Sequence, residues 1–239
     1  MGTIVRFAIA VVAIPLIIAF SLEAYLYFQT SFDFSLVQWV LIGAAVFIAA
    51  IPILPNLEFF RVFEHELNHL VVDVLTLSIL REFFATVKDG AQGHVEANGP
   101  FVSSFVSVLA PYYLPIFTVP FLVALPLAGD RYANALEFLI GFTLAFHFWG
   151  LSKEFRSYQP DIISQGFFFS LLFTYIMNVL LLICVYAMIA GQLESFTDYF
   201  RRSITRTPIK YNEVWSLIRG CRVVCEETTV QSIQDLFRP

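Results

Sequence analysis

Residues 59–80 read FFRVFEHELNHLVVDVLTLSIL, an apolar run that carries His65, Glu66 and His69 as an HExxH pattern near its start. Two histidines four residues apart on a helix lie about 40° apart around the axis and roughly 6 Å along it, so both imidazoles can reach one metal ion. Glu66, beside the first imidazole, can then polarise an attacking water. Burying these three polar side chains without partners would cost several kcal/mol, and a metal removes that objection. The alternative is a solvated helix face, the ordinary reading of such residues in a chain rich in charge. Only 14% of this chain is Asp, Glu, Lys or Arg, against roughly a quarter in soluble domains. Imidazole and carboxylate donors together favour zinc, one ion per chain.

The surrounding composition sets the solvent. Of 239 residues 58% are hydrophobic and 27 are phenylalanine, which describes an integral, multi-pass membrane protein with the lipid bilayer as a partner. Three cysteines offer no disulfide framework, and Cys221 with Cys225, lacking nearby histidines, makes a poor metal site. A net charge of −5, with no Gly-rich phosphate loop and no basic aromatic patch, gives no footing for nucleic acid.

Working outward from the motif, residues 3–28 form an apolar first span without a small-residue cleavage site, and residues 35–54 a second. Pro52 and Pro55 end it, Asn56 can cap the next helix, and Glu58 suits that helix's first turn. The motif helix is expected over 58–80. Over 81–99 short alternating segments flank Asp89-Gly90, the pattern of a hairpin turn between 84–87 and 94–96. Residues 100–127 are apolar but carry Pro111, Pro115, Pro120 and Pro126, so they should be broken rather than one straight helix. Residues 132–151 form a span containing Glu137 and His147, and a final span should run over 160–190.

The expected fold is therefore all-α and polytopic, with about six transmembrane segments and a short β-hairpin or re-entrant element after the motif helix. Residues 1–192 make the membrane domain and 193–239 a polar tail, with an interfacial helix near 196–204. Arg201, Arg202, Arg206 and Lys210 place that tail in the cytoplasm by the positive-inside rule, and six crossings would leave Lys153 and Arg156 outside.

A catalytic zinc usually has three protein ligands. Asp73 lies on the face of His65 and His69 but about 12 Å along the helix from His65, so it suits a hydrogen bond to the His69 ring better than ligation. An ordinary polar residue facing a neighbouring helix is an equal reading. The distant candidates for the third ligand are His94, His147 and Asp161. Asp161 opens an apolar span, where a carboxylate is costly unless paired, hydrated or metal-bound, although a helix N-terminus alone also favours an acid. Helices starting near Phe59 and Asp161 would begin on opposite faces if three full crossings intervened, so one segment between them must be re-entrant, with 99–126 the best candidate. Tyr112 would then come near the site. His94, Asn98 and Tyr112 are candidate substrate contacts.

HELNH on an apolar helix, the GHVE segment at 93–96, the proline-broken span and QPDII at 159–163 together resemble the site-2 protease family of intramembrane zinc metallopeptidases, over about residues 58–180. The likeness is to compact members without a PDZ domain. The family's aspartate usually sits in an LDG-type motif, whereas this chain has PDII with Gly166 five residues on. The resemblance implies zinc held by His65, His69 and Asp161, with Glu66 activating water, and cleavage of a membrane protein substrate in regulated intramembrane proteolysis. Two other readings stay open: a zinc membrane peptidase of the prenyl-protein-processing type, and a non-catalytic scaffold or metal-handling protein.

Overall fold

The computed structural model describes residues 3–76, 79–86, 92–98 and 101–236, with side chains described over 4–76, 105–129 and 131–217. Helices α1 (Thr3–Ser31), α2 (Phe34–Ala50) and α3 (Leu57–Leu75) lead into strands β1 (Ile79–Thr86) and β2 (Gln92–Asn98). Then follow α4 (Phe101–Leu109), a 3₁₀ turn at Ala110–Tyr112, α5 (Val119–Ala124), a second 3₁₀ turn at Leu125–Leu127, and α6 (Asp130–Glu154). The chain ends in α7 (Pro160–Gln165), α8 (Phe167–Ile189) and α9 (Leu193–Leu236).

Three of these helices are long and apolar enough to cross a membrane: Ile4–Ser31, Arg131–Glu154 and Phe167–Ile189. Among the described residues that count falls short of the six expected from sequence. Helix α2 is apolar but has 17 residues, about 26 Å, against a hydrocarbon core of about 30 Å. Helix α3 carries too many charges, and prolines divide 101–127 into two short helices and two 3₁₀ turns, as the loss of backbone donors there requires.

Helices α2 and α6 touch backbone to backbone. A Cβ on Gly43 would lie 2.0 Å from the Phe138 carbonyl oxygen, and one on Gly141 would lie 1.9 Å from that of Val40. Only glycine permits this approach, the usual device for close helix packing in membranes. Farther along, Phe47 packs edge-on against Phe142, Phe146 and Trp149, so the two helices run in the same direction. Helices α1 and α8 also run together, with Phe7 against Phe168 and Tyr27 and Phe28 against Tyr186.

These directions remove the topological conflict. Because α2 and α6 are parallel, the link 51–56 into α3 and the link 155–159 into α7 lie at one end of the bundle, so α3 and α7 start together. Arg6 bonds the Ser164 carbonyl at that same end. Lys153 and Arg156 therefore share an end with Arg6, contrary to the arrangement expected from six simple crossings.

Three local details differ from the sequence reading. The motif helix stops at Leu75, where the Thr76 hydroxyl bonds the Val72 carbonyl at 2.8 Å, and Ile79 and Leu80 belong to β1. Asn56 takes a left-handed conformation (φ 56°), makes no side-chain cap, and offers its carbonyl to the Phe59 and Phe60 amides. The expected final span is divided at Gly166, whose φ of 89° suits a residue without Cβ, leaving Asp161 on the short α7. Strands β1 and β2 pair antiparallel with Phe84 opposite His94, and both lie against α3. Asp89 and Gly90, and the side chains of His94 and Asn98, lie outside the described residues.

The segment read as a separate tail packs on α1. Tyr199 is fully buried and donates to the Phe20 carbonyl at 3.1 Å, the Tyr27 and Ser195 hydroxyls lie 3.0 Å apart, and Tyr211 bonds the Val12 carbonyl, so α9 runs antiparallel to α1. Beside the Phe20, Tyr27 and Tyr199 cluster that joins the two helices, Glu23, 3% exposed on α1, pairs with Arg206 and lies 4.0 Å from Arg202. A buried carboxylate needs such partners.

Candidate metal centre

Helix α3 sends His65 and His69 toward the N-terminus of α7. Their Nε2 atoms are 3.2 Å apart, and Asp161 Oδ2 lies 3.2 Å from His65 Nε2 and 3.6 Å from His69 Nε2. A tetrahedral zinc with arms of about 2.0–2.1 Å has ligand–ligand edges of about 3.3–3.4 Å. The three observed separations bracket that value. These are residues that could hold a metal ion, and their side chains are 13%, 12% and 27% exposed, screened yet reachable.

The outward nitrogens fix which lone pairs converge. His65 Nδ1 lies 2.6 Å from Glu154 Oε2, and His69 Nδ1 lies 2.9 Å from the Ser107 carbonyl oxygen. A carbonyl oxygen can only accept, and so can an ionised carboxylate, so each Nδ1 carries a hydrogen and donates it. In neutral imidazoles the Nε2 lone pairs then face each other and the Asp161 carboxylate. Three converging acceptors repel unless a proton or a metal cation lies among them, so the group could hold a metal ion. The role expected of Asp73 thus falls to the Ser107 carbonyl on α4, 2.9 Å from His69 Nδ1.

Asp161 is also held by Tyr112, fully buried, whose hydroxyl donates to Oδ2 at 3.3 Å. The Tyr112 ring stands edge-on to His65 and Phe155, and its carbonyl accepts from Asn178 Nδ2 at 2.8 Å. Tyr112 is therefore a support for Asp161. Glu66 is buried, at 6% exposed.

His147 does not join the metal group. It is 1% exposed on α6, with Nδ1 3.5 Å from Glu64 Oε1. Asn68, one turn beyond Glu64, is fully buried, and neither of its amide atoms has a hydrogen-bond partner among the described residues. Glu154, Ser107 and Arg61, which pairs with Glu154, were not found from sequence. A carboxylate closing an apolar span was the available signal for Glu154; Ser107 contributes only backbone and has none.

The chain matches no protein-family profile, no curated protein and no solved structure. What the site can do therefore rests on its own chemistry.

Proposed function

We propose that this chain is an intramembrane zinc-dependent endopeptidase of the site-2 protease type, hydrolysing a peptide bond in or near a transmembrane segment of a substrate protein. The observation that carries the reading is the triangle of His65 Nε2, His69 Nε2 and Asp161 Oδ2, with edges of 3.2, 3.2 and 3.6 Å. His65, His69 and Asp161 would hold the ion. Zinc bound there would polarise the scissile carbonyl and make water acidic enough to ionise near neutral pH. Glu66 would serve as the general base for the attacking water and as the proton donor to the leaving amine. Glu154 and Ser107 keep both imidazoles in the tautomer that presents Nε2, and Tyr112 keeps Asp161 turned inward. An aspartate as third donor favours this reading over the prenyl-protein-processing class, which uses a glutamate.

The chain is multi-pass in this account, with α1, α6 and α8 crossing and the shorter α2 running between the same two ends, parallel to α6. Arg6, Lys153 and Arg156 share the end at which α3 and α7 start, so the positive-inside rule makes that end cytoplasmic. Helix α9 begins at the opposite end and returns toward it along α1. This replaces a tail that is cytoplasmic throughout. The test is a panel of single-span substrates with purified protein. Glu66→Gln should retain zinc and lose cleavage; undiminished cleavage by that variant would refute the assignment.

A further inference from the structure

Behind the His65 ring, a line of charged side chains runs through Glu154 and Arg61 to Glu58. His65 Nδ1 lies 2.6 Å from Glu154 Oε2, Arg61 pairs with Glu154 Oε1, and Arg61 Nε donates to Glu58 Oε2 at 2.7 Å. The Glu154 side chain is 7% exposed, Arg61 is 17% exposed and Glu58 is 54% exposed, so the line runs from the interior to the surface. It links α6 to α3. The Arg61 stem passes Gly150, one turn before Glu154, where a Cβ would meet its Cγ at an ordinary 3.5 Å.

We infer that Glu154, held in place by Arg61, is a positioning residue that sets how tightly the His65–His69–Asp161 group binds a divalent cation. The inference rests on the zinc reading above. Two neutral imidazoles and one carboxylate supply a single negative charge toward a doubly charged ion. Glu154 adds a second, delivered through the His65 ring, whose Nε2 becomes a stronger donor as Nδ1–H leans toward an anion. In a buried setting that charge is poorly screened. Arg61 has a different task. It neutralises Glu154 when the metal group is empty and fixes which oxygen faces His65. The paired arrangement spares Glu154 from being a lone buried carboxylate.

Gln at position 154 has the same shape and can still accept from His65, but it lacks the charge. It also presents either its carbonyl or its NH₂ to Arg61, and the NH₂ repels. Outer partners of metal-bound histidines typically contribute about 10–100-fold in affinity. Arg61→Gln should weaken binding too, and through Glu154 alone, so it should add little in the Glu154→Gln background.

The experiment is competition for Zn²⁺ between a chromogenic chelator and the full-length protein in detergent, with the melting temperature of each metal-free form alongside. Expected are a 10–100-fold weaker Kd for Glu154→Gln, partial recovery in Glu154→Asp, and strong non-additivity in the Arg61→Gln/Glu154→Gln double variant. If Glu154→Gln fails to fold, Glu154→Asp and Arg61→Gln carry the same test through their Kd values. Zn²⁺ affinity within twofold of wild type in the folded variants, or additive losses, would overturn the inference and leave the metal site standing. Wild-type protein that takes up no Zn²⁺ would overturn both.

Discussion

Replacing Gly141 by alanine tests how closely the metal centre depends on a contact far from it. The new Cβ would lie 1.9 Å from the Val40 carbonyl oxygen, where real contacts do not fall below 3.0 Å, so α2 and α6 must separate locally by at least about 1 Å. Overpacking of that size typically costs about 1–3 kcal/mol, of which the better helix propensity of alanine returns about 0.5–1. The net cost is then up to about 2.5 kcal/mol, and at roughly 2–4 °C per kcal/mol for a chain of this length the melting temperature should fall by up to about 10 °C. The displacement also bears on function. Helix α2 leads directly into α3, and α6 ends in Glu154, so spreading the crossing loosens a hydrogen bond of 2.6 Å to His65. Zinc should bind more weakly in Gly141→Ala, and likewise in Gly43→Ala, where the clash is at 2.0 Å. Gly150→Ala is the internal control: its Cβ would meet Arg61 Cγ at 3.5 Å, an ordinary contact, so stability should hold or rise. The assay is thermal unfolding in detergent followed by zinc titration of each variant. A Gly141→Ala protein that melts and binds zinc like wild type would refute the reasoning from close packing to site geometry.

Tyr112→Phe removes a hydroxyl 3.3 Å from Asp161 Oδ2 and should weaken zinc binding by less than tenfold, as read by chelator competition; an unchanged Kd would show that Tyr112 does not support Asp161. Glu23→Ala leaves Arg206 and Arg202 without their buried partner and should destabilise α9 on α1 by about 1–3 kcal/mol, below the usual cost of breaking a buried pair because both arginines are partly exposed. Limited proteolysis within 193–217 should accelerate in that variant. Asp33 caps α2 through the Ser35 hydroxyl and amide, at 2.7 and 2.8 Å, and these bonds hold its carboxyl below the ordinary value of 3.8. A depressed pKa means stability that is present above 3.8 and lost as pH falls through the folded value. Wild type should therefore exceed Asp33→Ala in stability at pH 6 and lose that margin in strong acid; a margin independent of pH would count against the cap.

What could be read from sequence divides by range. His65 and His69 are legible because helical spacing alone brings them together, and the prolines of 101–127 forecast a broken segment for an equally local reason. The Asp161 position depends on α6 returning the chain to the start of α3, which no single segment encodes. Asp73 misleads because residues four apart share a helix face, yet the His69 ring meets a carbonyl on α4 instead. Glu154 escapes notice since its partner is 89 residues away. The span count differs for a physical reason too: periodicity marks an apolar segment but not whether it is long enough, as in α2, or too charged, as in α3. Helix α9 reads as a basic tail because lipid anchoring and pairing with Glu23 use the same arginines.

X-ray absorption at the zinc edge on purified, zinc-loaded protein tests the central claim most directly. The account predicts one ion per chain with two nitrogen donors of imidazole type and a carboxylate oxygen, and a shell that changes when Asp161 is replaced by alanine. Folded protein that retains no zinc, or a ligand shell indifferent to Asp161→Ala, would contradict it.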